Sequence, residues 1–385
     1  MAGSGKNMLL NQEQQMIQDS ARAFARAEIA PHAAEWDSAE AFPEDIVRRF
    51  GQMGFLGMTI SEKWGGAETD NVCLAVVIEE ISAADGAAGL LVGLQNSVVC
   101  APLDQFGSEY QKENYLRPAI QGNLRGCFCL TEPQAGSDAA NLRTRIEPRG
   151  NGYVINGTKQ FISSGATADV ALIFGVTDPE AGKKGITAAI ALTSSSGYKV
   201  ISREKKLGQR ASDTCQLSFD ALEIPPEMIL GELGEGYRIA LGNLEGGRIG
   251  IAAQALGISR AAYEAALDYA QERESMGRPI IQHQAVAFRL ADMATKIEVA
   301  RQMIWHAASV KDAGRPALKE ASMAKLYASE MAEEVCSAAI QIHGGYGYVQ
   351  GYPVERLWRD VRVCTIYEGT SDVQRLVIGR SLAVT

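Results

Sequence analysis

The chain lacks the residues and motifs on which several common chemistries depend. It holds four histidines in 385 residues, His32, His283, His306 and His343, and no two of them form H-E-x-x-H. A zinc or iron site of ordinary ligand spacing has nothing to build on, so no metal is expected. The sequence contains no G-x-G-x-x-G, no G-x-x-x-x-G-K-[ST] and no G-x-S-x-G. Dinucleotide binding on a Rossmann sheet, P-loop phosphate chemistry and serine hydrolysis all lose support. Gly3-Ser4-Gly5-Lys6 reads as part of a flexible leader, not as a truncated phosphate loop. Basic residues are outnumbered by acidic ones, giving a net charge of −9 and a pI near 5.2. That balance argues against nucleic acid and against an anionic membrane surface. No run of roughly 18 apolar residues is read, so no bilayer-spanning segment is expected. The first residues, Met-Ala-Gly-Ser-Gly-Lys-Asn, lack a signal-peptide core. The expected location is a bacterial cytosol or, after processing, a mitochondrial matrix. The seven cysteines include Cys127 and Cys129 as C-x-C, with no second pair at metal-ligand spacing. They read as buried free thiols in a reducing compartment.

What is present falls into three zones, and the expected fold class is α+β, mostly α. Residues 1–126 read as an N-terminal helical domain. Asn11 with Gln14 three residues on is a capping-box pattern. Ile17, Ala21, Phe24 and Ala25 form a helical stripe, and Pro31 follows its end. Asn71 to Ala84 and Gly89 to Leu103 are further apolar segments. Residues 127–236 read as an antiparallel β domain. Asn151-Gly152 and Asn156-Gly157 predict tight turns around Tyr153-Val154-Ile155. Strand-length runs follow at Ala171 to Val176, Ile186 to Leu192, Tyr198 to Ile201 and Cys215 to Phe219. Residues 237–385 read as a C-terminal four-helix bundle. Its clearest signal is the seam Val286, Leu290, Met293, Ile297, Ala300 and Ile304, taken as core packing.

Three segments carry the candidate chemistry. In Ile366-Tyr367-Glu368-Gly369-Thr370-Ser371 an apolar run delivers one carboxylate. Apolar surroundings raise a carboxyl pKa, which suits a general base near neutral pH. Thr370 or Ser371 is placed to cap a following helix with the stripe Val373, Leu376 and Val377. The ordinary reading of such a Glu is a cap or a salt-bridge partner. In Phe128 to Asp138 a strand ends in a turn rich in Pro, Gly, hydroxyls and amides. It reads either as an ordinary turn or as donors for a ring edge and a pyrophosphate. Gln341-Ile342-His343-Gly344-Gly345 follows a helix striped by Tyr327, Met331, Val335 and Ala339. Gly344 reads as its stop, and the paired glycines also permit close backbone approach.

Together, Leu130-Thr131-Glu132-Pro133, Gly136-Ser137-Asp138, Gln341 to Gly345 and Ile366 to Ser371 resemble the acyl-CoA dehydrogenase family, in order, over about residues 9 to 384. The resemblance implies that family's three-domain fold, non-covalent FAD, a homotetramer and an electron-transferring flavoprotein as oxidant. It implies Glu368 as catalytic base. Phe128, Leu130, Thr131, Gly136 and Ser137 match the flavin-binding loop. Phe161 and Ser163 match the next strand, where the family often has Trp and Thr. Arg273, Met276 and Gln284 match a segment that reaches the FAD of a neighbouring subunit, with Met276 where Phe is frequent. Gln341, Ile342, His343, Gly344 and Gly345 belong to that same intersubunit site, and Thr370 and Asp372 to the cofactor contacts beside the base. On the substrate side, Ser137 matches a residue near the CoA portion and Gly369 neighbours the base. Glu245 and Arg248 match an acidic residue, commonly Asp, and an arginine that hold the CoA arm. Some relatives carry their base at the position of Gly247, which leaves Glu368 as the candidate here. The implied reaction is removal of the thioester α-proton by Glu368 and of a β-hydride by flavin N5, giving a trans-2-enoyl-CoA. The enolate would be stabilised by the Glu368 N–H and a flavin ribityl hydroxyl.

Arg248 to Gly257 resembles short-chain members. The Leu90, Leu91, Leu94 and Gln95 segment resembles the helix at the base of the acyl tunnel. Short or short-branched acyl groups are favoured, although core packing explains those leucines equally. The rival readings are an acyl-CoA oxidase of the same fold and a non-catalytic acyl-CoA-binding scaffold. A flavin monooxygenase of the wider superfamily usually lacks the Glu.

Overall fold

A computed structural model describes residues 9–382. The Met1 to Asn7 leader lies outside the described residues. The chain opens with α1 (Gln12–Phe24), and both halves of its capping box form. The Gln14 N–H donates to Asn11 Oδ1 at 2.9 Å, and the Asn11 N–H to Gln14 Oε1 at 2.9 Å. Such a cap contributes on the order of 1 kcal/mol. A π-helical turn continues to Ile29, and Pro31 lies in the turn beyond.

Helix α2 (Asn71–Ala84) is capped by Asp70, and α3 (Gly86–Leu94) by Asp85. The run Gly86–Phe106 is long and apolar enough to cross a membrane by length and composition, which corrects the expectation of no such run. Its apolarity has another account, since 78% of its most apolar window is buried within the protein. Gln95 docks this run on the β domain. Its side chain donates to the Gly126 carbonyl at 2.9 Å and accepts the Gly126 N–H at 3.0 Å.

The middle region forms one eight-stranded sheet. Its strands are β1 (Gly126–Cys129), β2 (Arg145–Arg149), β3 (Gly152–Ser163), β4 (Val170–Val176), β5 (Ile186–Leu192), β6 (Tyr198–Arg203), β7 (Thr214–Ile224) and β8 (Ile229–Leu230). The order is β6-β7-β3-β2-β4-β5-β8, with β1 beside β4. The expectation of an antiparallel sheet holds except at β4, where β1 pairs parallel in register Gly126↔Val170 and β2 touches in parallel at Arg145↔Val176. Every residue of β4 is buried, as a strand covered on both faces must be. Asn151-Gly152 lies in the β2–β3 turn as expected. Asn156-Gly157 is instead a bulge within the twelve-residue β3, where the register against β7 shifts. The Asn156 side chain accepts the Ala221 N–H there.

The C-terminal region is carried by α4 (Gly236–Glu272), α5 (Gln284–Asp312) and α6 (Leu318–His343), which pack on one another, with α4 and α5 also against α2. Leu290, Met293, Ile297, Ala300 and Ile304 are buried, so the seam is core. The α6 stripe Met331, Val335 and Ala339 is likewise buried, and Gly344 at φ 60° ends the helix. The shorter α7 (Pro353–Val361) and α8 (Ser371–Leu382) lie against α6. The expected α8 stripe is not a core face. Gln374 is its buried residue, and Leu376 is exposed.

Candidate active site

A cavity of about 170 Å³ opens where the three regions meet, with Glu368 on its wall. The α3 segment supplies Leu90, Leu94, Ser97 and Val98. Strands β1 and β3 supply Phe128, Phe161 and Ser163, and α4 supplies Gly247, Ile251 and Gln254. Glu368 and Tyr367 come from the turn between α7 and α8. Phe161, which lines the cleft, is 64% exposed although it is large and apolar. Phe128 lies 4.7 Å from Phe174, centroid to centroid, which braces its ring from behind. Two aromatic rings, the Ser163 hydroxyl and a facing carboxylate form a slot that fits a flat, partly polar ring system.

Glu368 sits in the left-handed region at φ 53°, followed by Gly369 at φ 89°. A side chain is held in that region only where its surroundings over-determine it. The residue is half-buried, while Oε2 is enclosed with no hydrogen-bond partner. The carboxylate lies directly over Gly247. A Cβ added there would stand 2.7 Å from Oε1 and 3.0 Å from Oε2, so this glycine is a cradle for the acid. Burial raises the Glu368 pKa to about 7, against the pull of Arg248 and then Lys325 toward the ionised form. Arg248 is buried and spends one bond on Ser322 Oγ at 3.3 Å, leaving Nε unpartnered. Among the described residues the Glu368 N–H has no backbone acceptor.

Two buried side chains hold the turn. Lys325 Nζ donates to the Gly369 carbonyl at 2.8 Å. Gln374 Nε2 donates to the Glu368 carbonyl at 3.0 Å and to that of Gly369 at 2.8 Å. Below them the Tyr367 hydroxyl donates to Gln254 Oε1 and accepts from Gln209 Nε2 at 3.1 Å. None of Lys325, Gln374 or Gln209 stands out in sequence. Lys325 lies in an ordinary helical pattern, and only folding brings it to Gly369.

The remaining candidates divide. Thr370 caps α8, accepting the Val373 N–H at 3.3 Å, and Asp372 is exposed beside Arg375. Gly136 and Ser137 are exposed in the loop after β1, and Leu130 and Thr131 are half-buried. Glu132 of the same loop is structural. It is buried, pairs with Lys159 at 2.8 Å and accepts the Arg143 and Thr144 N–H groups at 2.6 and 3.0 Å. Burial alone would raise its pKa, but Lys159 and these donors hold it at about 2. Glu245 accepts the Ala317 N–H at 3.2 Å, at the start of α6. Leu90 and Leu94 line the cleft, whereas Leu91 is in the core and Gln95 is committed to Gly126.

Arg273, Met276, Gln284 and Gln341 to Gly345 do not line this cleft. Met276 and Gly277 have φ 53° and 77° and turn the short hairpin between Glu274–Ser275 and Arg278–Pro279, leaving Met276 92% exposed. The Arg273 guanidinium stands 5.8 Å over the Tyr346 ring. Gln341, Gly344, Gly345 and Gln284 are exposed. Ile342 and His343 are buried, and His343 stacks on Tyr269 at 4.4 Å and bonds the Ala339 carbonyl.

Profiles of the acyl-CoA dehydrogenase N-terminal, middle and C-terminal domains match residues 11–123, 127–222 and 234–383. An acyl-CoA dehydrogenase of Bacillus subtilis (strain 168) is 45% identical over 375 residues, 97% of this chain and 99% of that protein. A short-chain specific acyl-CoA dehydrogenase of Clostridium acetobutylicum is 42% identical over 369 residues, 96% of this chain and 97% of that one. The solved structure of butyryl-CoA dehydrogenase from Megasphaera elsdenii superposes with a TM-score of 0.95 at 38% identity, covering 97% of this chain and 99% of that one. Helical, β and helical regions around a cleft with an aromatic wall thus define an oxidoreductase of the flavoprotein class. The chain belongs to the acyl-CoA dehydrogenase family.

Proposed function

We propose that this enzyme carries out FAD-dependent α,β-dehydrogenation of acyl-CoA thioesters to trans-2-enoyl-CoA, with Glu368 as the base. The observation that carries the reading is the Glu368 carboxylate, enclosed over Gly247, poised near neutral pKa and facing an aromatic-walled cleft. Such a carboxylate is ionised in a useful fraction at pH 7 and strong enough to take a weakly acidic α-proton. The Glu368 N–H, with no backbone acceptor among the described residues, is available to the thioester carbonyl as negative charge develops there. Arg248 and Lys325 add positive charge behind the base. FAD, when bound, supplies the acceptor for the β-hydride. Phe128, Phe161 and Ser163 would hold its ring, and Leu130, Thr131, Gly136 and Ser137 the adjoining polar edge.

Leu90, Leu94, Val98 and Ile251 form an apolar wall of a cavity of only about 170 Å³, whose lining also includes Gln254 and Tyr367. That favours short or short-branched acyl groups. Glu245, Arg248, Ser137 and Gly369 would serve the substrate side. The exposed Arg273, Met276, Gln284, Gln341, Gly344 and Gly345 suit contacts with the cofactor of another subunit in a homotetramer, with Ile342 and His343 as their buried footing. Thr370 and Asp372 would flank the cofactor beside the base. An electron-transferring flavoprotein is the proposed oxidant, in a bacterial cytosol or a mitochondrial matrix. Glu368→Gln tests the reading: flavin content should stay at the wild-type level while turnover of butyryl-CoA is nearly abolished. A variant keeping most of its turnover would remove Glu368 from the role.

A further inference from the structure

A lysine with no exposed surface requires a compensating role. Lys325 is 0% exposed, and its ammonium donates to the Gly369 carbonyl at 2.8 Å. Gln374, also 0% exposed, donates to that carbonyl and to the Glu368 carbonyl. These are the two carbonyls that follow the Glu368 Cα, in a turn whose φ angles of 53° and 89° place two successive residues in the left-handed region. A turn of this kind has no helical or sheet partner for its carbonyls, and a buried carbonyl without a donor is unfavourable. The side chain that the turn carries lies with its carboxylate over Gly247.

We propose that Lys325 and Gln374 are positioning residues for the base: they grip the carbonyls of the Glu368–Gly369 turn and so fix where its carboxylate lies. The proposal rests on the reading of Glu368 as base. The groups facing Lys325 are Cys364 and Glu368 from the segment before α8, Arg248 from α4 and Glu330 from its own helix. Burial pulls the lysine down to about 8, and Glu368 is among the groups that oppose the shift.

The test compares Lys325→Met, Lys325→Gln and Gln374→Leu with wild type and Glu368→Gln, all as flavin-loaded full-length enzyme. Turnover of butyryl-CoA with an artificial electron acceptor is measured per bound flavin from pH 5.5 to 9. Lys325→Met loses donor and charge. It should lower kcat on the order of tenfold to a hundredfold, change KM by less than about threefold, and move the acid limb up by about one pH unit. Lys325→Gln keeps a donor and should show the limb shift with a smaller loss of kcat. Gln374→Leu should lower kcat about tenfold and leave the limb in place. A lysine that only fills the core would lower melting temperature or flavin content, with kcat per flavin and acid limb unchanged; that result overturns the proposal. If Lys325→Met does not fold, Lys325→Gln and Gln374→Leu decide on the same criteria. If Glu368→Gln stays active, the base assignment itself has failed, which is distinct from an inert Lys325 beside an essential Glu368.

Discussion

The environment that suits Glu368 to the proposed role of base also makes it a stability liability, and this can be measured without substrate. Its native pKa is about 7 against an ordinary 4.5, because burial disfavours the charge more than Arg248 and Lys325 favour it. Between those values the native state binds more protons than the unfolded chain, so stability falls as pH rises through the window. Above pH 7 the full cost is present, roughly 3 kcal/mol as an upper figure, reduced by whatever water reaches the half-buried side chain. Glu368→Gln has the same shape and cannot ionise. The variant should match wild type near pH 4.5 and gain on it steadily toward pH 8. For a chain of this length that gain corresponds to a rise in melting temperature of about 4 °C. The assay is thermal unfolding of both proteins at equal flavin load, at pH 5 and pH 8. A gap equal at both pH values, or a variant less stable at pH 8, would refute the claim that burial sets the state of Glu368.

Other consequences follow from single contacts. Gly247→Ala places a methyl 2.7 Å from Glu368 Oε1, so kcat should fall on the order of a hundredfold with little change in melting temperature, as kinetics and a thermal melt would show. Lys159→Met leaves Glu132 buried without its cation and should destabilise the fold by about 3–5 kcal/mol in urea unfolding at pH 7. In wild type Glu132 has a depressed pKa, near 2, so its stabilisation is present above about pH 4.5 and is lost as pH falls toward 2. Acid titration of the folded state should therefore show a smaller loss across that range in Lys159→Met than in wild type.

The parts of the molecule that sequence revealed are those set by local rules. The Asn11–Gln14 box, the α5 seam and the Gly344 stop each depend on residues within one or two helical turns, and each formed as expected. The Asn-Gly pairs show where such rules end. Both permit unusual backbone angles, but the pairing of β3 with β7 turned Asn156-Gly157 into a bulge inside a continuous strand. The parallel contact of β1 with β4 joins segments more than 40 residues apart and leaves no local trace. The apolar run Gly86–Phe106 was underread because Gln95, Asn96 and Ser97 interrupt it; Gln95 and Asn96 are buried and satisfied by backbone partners. Within the site, the apolar approach to Glu368 and the glycine after it mark a candidate that reads equally as a cap, and only the family resemblance singles it out. Lys325, Gln374 and Gln209 were not legible, because their contacts with the turn join residues that are mostly remote in sequence. The α8 stripe signals the helix that forms, but apolar spacing alone does not say which face a helix buries, and here a glutamine turns inward to hold the turn.

The central claim is that an acyl-CoA thioester reduces a flavin held in the cleft beside Glu368. Anaerobic titration of the purified, flavin-loaded enzyme with butyryl-, isobutyryl-, hexanoyl-, octanoyl- and glutaryl-CoA, followed in the flavin absorption spectrum, tests it most directly. The account predicts bleaching of the oxidised band, strongest with butyryl- or isobutyryl-CoA and absent in Glu368→Gln. A flavin that no thioester bleaches, or equal bleaching in Glu368→Gln, would contradict it.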